Sequence, residues 1–135
     1  MEILGDLGRS IVPYDPTKPD LESGTAGQLR VVSYSVYADT RCDTAEVGHT
    51  SIKNWKVRSQ RLLNEIFSYN ADVVLLQDAD HFRDFWQPRF AERGYDAIFK
   101  QRTETKARHT EGVIIAYNRD NLQLFKTEFV ELNDA

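Results

Sequence analysis

The 135-residue chain predicts an α/β fold, and three stretches of sequence carry that prediction. Two short apolar runs rich in β-branched residues, 29–36 and 72–77, have the composition of buried strands. Between them, apolar side chains recur every three or four positions after Asn54, which is the spacing of one helical face and makes Asn54 a candidate N-cap. Strand, helix and strand in this order form the β-α-β unit of a parallel pair. We therefore expect a parallel strand pair with a crossover helix at the centre of the fold.

Further along the chain, the pattern predicts alternating short helices, strands and turns. The helical stretch 81–93 is interrupted at a proline, and the residue before a proline avoids the α region. Proline suits a first helical position and glycine suits a helix end. The predicted elements are, in order, a turn ending near Trp86, a helix from Pro88 to Gly94, strands at 95–99 and 112–117, a turn at 118–121 and a last strand at 122–130.

Residues 1–28 predict a leader, and residues 29–135 predict the folded part. Three of the four prolines fall in the leader, where a fixed φ and a missing donor favour an extended arm. Its five acids and two bases contribute −3 of the net charge of −4. Three of its side chains could anchor it to a neighbouring surface: Ile11, Val12 and Tyr14.

Composition excludes several classes of protein. Hydrophobic residues make up 41% and charged residues 28%, close to the soluble globular average, which excludes a disordered or collagen-like chain. The longest apolar runs, 73–76 and 113–116, are too short to span a bilayer. A pI near 5.4 argues against a polybasic nucleic-acid binder. The single cysteine, Cys42, cannot form an internal disulfide, and no signal peptide precedes the first strand, so we expect a cytoplasmic or nuclear protein.

Two polar positions follow the predicted parallel strands. Asp78 ends the second strand, where α/β folds place their ligands. Its carboxylate could cap the next helix or serve as a single anchor for Mg²⁺, which keeps several waters. Ser35 ends the first strand and should lie near Asp78, although Ser33 and Ser35 could equally be hydroxyls satisfied at a strand end. Arg58, on the crossover helix, has no role that the pattern alone assigns.

The loop 100–110 is the one positively charged segment of the chain. It contains one acidic residue, Glu104, and four basic residues: Lys100, Arg102, Lys106 and Arg108. Beside a metal-binding edge, Lys100 and Arg102 could bind a phosphodiester, although a solvated hairpin loop has the same composition. The histidines, His49, His81 and His109, fit the spacing of neither a zinc site nor a catalytic triad, and surface or packing roles are favoured for them.

Taken in order, five strings form a longer pattern: Leu-Arg-Val-Val-Ser-Tyr-Ser-Val at 29–36, Asn-Trp-x-x-Arg at 54–58, Ala-Asp-Val-Val-Leu-Leu-Gln-Asp at 71–78, Gly-Tyr-x-x-x-Phe at 94–99 and Glu-Gly at 111–112. This order resembles the N-terminal half of the endonuclease/exonuclease/phosphatase superfamily over residues 29 to about 132. The Trp-x-x-Arg string and the Phe-Trp-x-Pro…Gly-Tyr segment favour the branch that holds the nuclease subunit of the Ccr-Not deadenylase complex and nocturnin.

The resemblance implies a two-sheet sandwich flanked by helices, of which this chain would supply the N-terminal half. It implies Mg²⁺-dependent hydrolysis of phosphodiesters, in this branch mainly of RNA from the 3′ end and notably of poly(A). Asp78 stands where the family has the glutamate that is its main Mg²⁺ ligand. Ser35 stands where the family has an asparagine that helps to position metal and phosphate, so the resemblance implies catalytic roles for both. Arg102 lies near the family's basic residue after Gly-Tyr, and Glu111 begins a pair that is usually Asp-Gly.

Departures from the family pattern keep a second hypothesis open, that of a catalytically inactive module binding RNA or a protein. The side chain of Asp78 is one methylene shorter than the family's glutamate, so its carboxylate lies closer to the backbone. Ser35 lacks the asparagine amide, which can both donate and accept. The family's later Gly-Asp-x-Asn and Ser-Asp-His strings do not occur in this sequence. A sheet without its partner sheet would expose an apolar face, for which we expect a protein partner or self-association. We expect that face to include several of five residues: Val32, Val74, Leu76, Ile114 and Ala116.

Overall fold

The computed structural model describes residues 27–42, 54–103 and 110–131. Its elements are β1 (Val31–Ser35), α1 (Asp39–Cys42), α2 (Trp55–Ser68), β2 (Val73–Ala79), a π-helical turn (Phe82–Trp86), α3 (Gln87–Glu92), β3 (Tyr95–Gln101) and β4 (Gly112–Asn118). The predicted leader lies outside these ranges up to residue 26, and so do its three candidate anchors.

One mixed sheet organises the described residues. Its strand order is β1-β2-β4-β3. Strands β1 and β2 run parallel with α2 as the crossover, which confirms the β-α-β prediction. The pairs β2–β4 and β3–β4 are antiparallel, so β3 and β4 form a hairpin whose loop carries the basic segment.

The crossover helix α2 begins as its sequence predicts. Asn54 occupies the N-cap position with extended backbone, and its carbonyl accepts the amides of Val57 and Arg58. Its side chain makes no capping hydrogen bond, so the cap depends on the backbone alone. The helix buries Leu63 and Ile66 one turn apart against the sheet, as the periodicity predicts.

The segment after β2 also follows the prediction, with one difference in helix type. The turn ends at Trp86 as expected, but it is π-helical rather than α-helical. Helix α3 begins at Gln87, one residue before Pro88, which lies in its first turn. The chain then leaves the helix through Gly94, whose φ of +83° is a left-handed value that glycine adopts without steric cost.

The core lies on one face of the sheet, and the prediction of which face is covered was wrong. The five residues expected on the exposed face pack instead in or against the core beneath the helices: Val32, Val74, Leu76, Ile114 and Ala116. The opposite face is the uncovered one, and its exposed apolar side chains include Val31, Val113 and Ile115. Strands β2 and β4 are apolar at both alternations, so their sequences do not show which side the helices cover.

We name this uncovered side the open face. The strand register places three rows on it, which are Val31–Val73–Tyr117–Asp96, Ser33–Leu75–Ile115–Ile98 and the ends of the strands at Ser35, Gln77, Val113 and Lys100. An uncovered apolar face of a sheet therefore exists, as expected, but it is made of the alternate residues.

The last predicted strand, 122–130, is also wrong. These residues carry no regular secondary structure, and Phe125 is 99% exposed. Alternating apolar residues form a strand only where a neighbouring strand offers its backbone groups. Within the described residues the segment pairs with no strand of the sheet. The preceding turn is confirmed, with the Asn118 side chain accepting the amide of Asp120.

No helix in the described ranges has the length and apolar character needed to cross a membrane.

Candidate functional site

The candidate site lies where β1 and β2 end and β4 begins. Ser35 is opposite Gln77 in the parallel register, and Ala79 is opposite Gly112 in the antiparallel one. Because β4 runs against β2, its first residues meet the carboxyl end of β2 at the same edge. The topology therefore brings Ser35, Asp78 and Glu111 to one edge of the sheet.

Asp78 is aimed by an irregularity in β2. The register shifts between Leu76 and Ala79, and Asp78 itself has a φ of 55°. Aspartate is one of the few residues enriched in this left-handed region, and bulges of this kind redirect a side chain at functional sites. Its Oδ2 accepts the amide of Ala38 at 3.4 Å, and its Oδ1 lies 3.4 Å from Arg41 Nη1.

The capping interpretation of Asp78 is wrong. The following π-helical turn has His81 at its N-cap, and no side chain caps it. The left-handed backbone conformation at Asp78 directs the carboxylate toward the segment after β1, and not toward the helical turn that follows in the sequence. Its partners, Ala38 and Arg41, both belong to that segment.

Glu111 is a buried carboxylate, with 3% of its side chain exposed. Its Oε1 lies 3.3 Å from Arg41 Nη2 and 3.8 Å from Arg102 Nη1. The residue after it, Gly112, is required for a different, steric reason. A Cβ at Gly112 would lie 2.1 Å from the carbonyl oxygen of Lys100, so only glycine lets β3 approach β4 this closely. In the Glu-Gly pair, the glutamate thus supplies a charged group of the site, and the glycine allows the close approach of β3 and β4 in the hairpin.

Arg41 joins the two carboxylates, and short helix α1 holds it in place. The Arg41 amide donates to the carbonyl of Ala38, and the Thr40 amide donates to the buried carboxylate of Asp80 at 3.0 Å. Cys42, the last residue of the helix, is buried. The backbone at Arg41 is therefore fixed against β2, while its guanidinium reaches across the strand ends.

Arg58 fixes the loop between β1 and α1. Its Nη1 donates to the carbonyls of Val36 at 2.8 Å and Tyr37 at 2.5 Å, and its guanidinium lies over the ring of Trp55. Its Nη2 is 3.6 Å from Asp39 Oδ1. This is the structural role of the Trp-x-x-Arg string. The helix of the β-α-β unit holds the chain that leaves the first strand.

His81 forms a second connection to α1. Its ring stacks on Trp55 at 4.6 Å between centroids and lies between Asp84 Oδ2, 2.7 Å from Nδ1, and Asp39 Oδ2, 3.2 Å from Nε2. Burial alone lowers the pKa of His81, but the hydrogen bonds to Asp84 and Asp39 and the charge of Asp80 outweigh it and raise the pKa above its usual value. The packing role expected for this histidine is confirmed, while His49 and His109 lie outside the described residues.

The other predicted site residues are only partly brought together. Ser35 is exposed at the end of β1, and among the described residues no hydrogen bond joins it to Asp78. Lys100 pairs with Glu131 and points along the open face toward the ring of Phe129. Arg102, about half exposed, is the predicted basic residue that reaches the carboxylate edge. The bases Lys106 and Arg108 lie outside the described residues.

The donor set does not fit a divalent ion in this arrangement. No group of three or more acidic, histidine or cysteine side chains within the described ranges is placed to hold a metal. Mg²⁺ can be bound through one or two carboxylates and water, but both carboxylates here are paired with one guanidinium. A metal at Asp78 would therefore have to displace Arg41.

A separate cavity of about 310 Å³ lies at the opposite ends of the strands, lined by Phe67, Asn70, Arg93, Tyr95, Asn118 and Asn121. None of the predicted site residues lines it. The candidate site is the carboxylate edge.

Sequence reasoning missed Arg41 and assigned no role to Arg58. Arg41 lies in a polar stretch without periodicity, and nothing in its neighbourhood marks it. The signal for Arg58 was the Trp-x-x-Arg spacing, which identifies the string but does not show that the guanidinium crosses to β1.

Two curated relatives share sequence with most of the chain. Carbon catabolite repressor protein 4 homolog 2 of Arabidopsis thaliana is 33% identical over 124 residues, covering 86% of this chain and 21% of the relative. The CCR4-Not complex 3′-5′-exoribonuclease subunit Ccr4 of Mycosarcoma maydis is 27% identical over 141 residues, covering 93% of this chain and 21% of the relative. The chain thus spans about a fifth of the length of these relatives. No protein-family model matches it.

Several solved structures share its fold. ANGEL2, a 2′,3′-cyclic phosphatase, superposes with a TM-score of 0.66 at 23% identity, covering 78% of this chain and 32% of that one. The human Nocturnin catalytic domain superposes with a TM-score of 0.55 at 21% identity, covering 68% and 33%. The chain belongs to the endonuclease/exonuclease/phosphatase superfamily, with CCR4-type proteins as its curated relatives, and comprises part of that fold.

Proposed function

We propose that this chain forms part of a nuclease domain of the CCR4 type, which hydrolyses RNA phosphodiester bonds from the 3′ end with poly(A) as the preferred substrate. One observation carries the proposal: Asp78 of β2 and Glu111, the residue before β4, lie at one edge of the sheet beside two arginines. The similarity to an exoribonuclease subunit supports the same reaction class. RNA as substrate and a sequence with a single cysteine, which cannot form an internal disulfide, support the cytoplasm or nucleus as the proposed location.

The edge offers part of what phosphodiester hydrolysis needs. The reaction requires fixed positive charge where negative charge develops on the phosphate. Arg102, half exposed beside Glu111, is placed to contact a phosphate from solvent. Lys100 is the second proposed phosphate contact, and it would have to exchange its pair with Glu131 for the substrate. Mg²⁺ remains a proposal for the assembled domain, because Asp78 can bind it only when Arg41 withdraws.

A second candidate function is that of an inactive module that binds RNA or a protein partner. The observation that favours it is the pairing of Arg41 with both carboxylates, together with aspartate and serine where the family has glutamate and asparagine. Under this proposal the open face is the surface for a protein partner, since it exposes Val31, Val113 and Ile115 together.

A chimera separates the two proposals. Residues 29–131 would replace the matching segment of the Arabidopsis relative, and the product would be incubated with Mg²⁺ and an RNA that is labelled at its 5′ end and ends in a 3′ oligo(A) tail. The nuclease proposal predicts stepwise shortening that the Asp78→Ala change abolishes. Asp96→Ala is the matched control, because this carboxylate lies at the opposite end of the sheet and pairs with Arg119.

The other results are equally informative. Equal shortening by Asp78→Ala and its parent removes Asp78 from the mechanism. A folded but inactive chimera that regains activity through Ser35→Asn with Asp78→Glu supports the inactive module. RNA binding by the 135-residue chain should weaken steeply with salt if Lys100 and Arg102 contact phosphates, and salt-independent binding contradicts that contact.

A further inference from the structure

The carboxylate edge already holds a cation that belongs to the chain itself. Arg41 places Nη1 3.4 Å from Asp78 Oδ1 and Nη2 3.3 Å from Glu111 Oε1, so its two terminal nitrogens contact one carboxylate of β2 and one from the residue before β4. A guanidinium keeps its charge at every physiological pH and presents its donors in a fixed plane. We propose that Arg41 is the resident cation of this edge and competes with divalent metal ions for Asp78 and Glu111.

Burial explains why this edge needs a cation at all. Only 3% of the Glu111 side chain is exposed, and a buried carboxylate is stable as an anion only when it is paired. Arg102 contributes a second positive charge, 3.8 Å from the same oxygen. A positive group therefore has to stay near Glu111, and Arg41 supplies the shorter of these two contacts.

Arg41 is fixed at its backbone, while its side chain lies partly in contact with solvent. Its helix is fixed by the Thr40–Asp80 hydrogen bond and by the buried Cys42. The side chain of Arg41 is 39% exposed, so its guanidinium can turn toward solvent without unfolding α1. This combination is what an exchangeable internal cation requires.

Competition follows from the charges. A divalent ion bound by Asp78 would lie within a few ångströms of the guanidinium, where like charges repel strongly at low effective dielectric. Each cation therefore weakens binding of the other. Couplings between two such sites typically change affinity about 5- to 150-fold, and this is the gain in metal affinity that we expect when the charge of Arg41 is removed.

Manganese alone is the probe, because it binds the same oxygen ligands as magnesium and its free form is measured directly by paramagnetic resonance. The 135-residue chain and its Arg41→Gln variant would each be titrated with Mn²⁺ in chelator-treated buffer without RNA. Arg41→Gln should bind about 5 to 150 times more tightly. Arg41→Lys, which keeps the charge, should stay close to the parent, and adding Asp78→Asn to Arg41→Gln should cancel the gain.

A second measurement uses only the parent chain and does not depend on a variant that folds. Arginine modification by phenylglyoxal, mapped by peptide mass spectrometry, should become faster at Arg41 when Mn²⁺ is present. Arg61, exposed on α2, is the control and should not change. The inference is overturned if Arg41 reactivity does not respond to Mn²⁺, if a folded Arg41→Gln binds no more tightly than its parent, or if neither binds.

The inference rests on the proposed function only in taking Asp78 as a cation ligand. Neither measurement uses RNA or turnover. An inactive chimera would therefore contradict the nuclease proposal without affecting the competition between Arg41 and metal, and the reverse also holds.

Discussion

Removing the guanidinium of Arg58 tests whether this residue fixes the chain between β1 and α1. The Arg58→Met change keeps an apolar stem of similar length against Trp55 and deletes the donors. The parent side chain is 11% exposed and gives both carbonyls, of Val36 and Tyr37, a charged donor. Without it those carbonyls lose the donor that Arg58 supplies, and α1 with Arg41 loses one of its supports.

The expected loss of stability can be worked from these contacts. A hydrogen bond to a charged group contributes about 1.5–3 kcal/mol, so two of them give about 3–6 kcal/mol. The interaction with Trp55 adds about 0.5–1 kcal/mol. Part of this is recovered, because Nε and Nη2 of Arg58 are buried without a hydrogen-bond partner and because Tyr37 is exposed to water. We expect a net decrease of about 2–4 kcal/mol in the free energy of unfolding.

Urea unfolding followed by tryptophan fluorescence measures this directly, since Trp55 lies against Arg58. The midpoint should fall while the denaturant slope stays unchanged, which indicates a loss of stability and not of compactness. Arg58→Lys retains the charge but not the planar donors, so its unfolding midpoint should lie between those of the parent and Arg58→Met. Arg61→Ala, on the exposed side of the same helix, should stay within about 0.5 kcal/mol. A loss below about 1 kcal/mol for Arg58→Met would refute the assigned role.

Three further predictions concern the hairpin, the histidine and the open face. Gly112→Ala places a methyl group 2.1 Å from the backbone oxygen of Lys100, so we expect the free energy of unfolding to fall by about 1–3 kcal/mol or more. The unfolding midpoint should fall accordingly, and an unchanged midpoint would contradict the close approach of the two strands. The raised pKa of His81 means that its protonated form stabilises the fold fully below pH ~6.5 and that this contribution disappears as pH rises through the folded-state pKa. His81→Gln should therefore destabilise more at pH 5.5 than at pH 8, and an equal difference at both values would be inconsistent with the charged pair. The exposed apolar residues of the open face predict that the chain self-associates and binds an apolar dye, and that Ile115→Lys reduces both in light scattering and fluorescence; a dye-silent monomeric parent contradicts this.

Local patterns were enough to identify most of the elements, although not the short helix α1. The β-branched runs of β1 and β2 and the periodicity of α2 report on neighbours along the chain, so the parallel pair and its crossover helix could be predicted without any tertiary contact. Gly94 and Pro88 marked the ends of α3 for the same local reason. The edge shared by Ser35 and Asp78 followed from the topology of the unit.

What the tertiary structure decided depends on partners far apart in sequence. Residues 122–130 have a strand pattern, but in the part of the chain that the structure describes they pair with no strand, so they carry no regular secondary structure and are mostly exposed. The covered face could not be chosen from β2, since both of its alternations are apolar and only the packing of α2 and α3 distinguishes them. Arg41 lies 37 residues before Asp78 and 70 before Glu111 along the chain, and no local rule places a guanidinium between those carboxylates. The family and most of the elements could therefore be predicted from the sequence. The charge balance of the candidate site exists only in the folded chain, because opposite charges pair by distance in space.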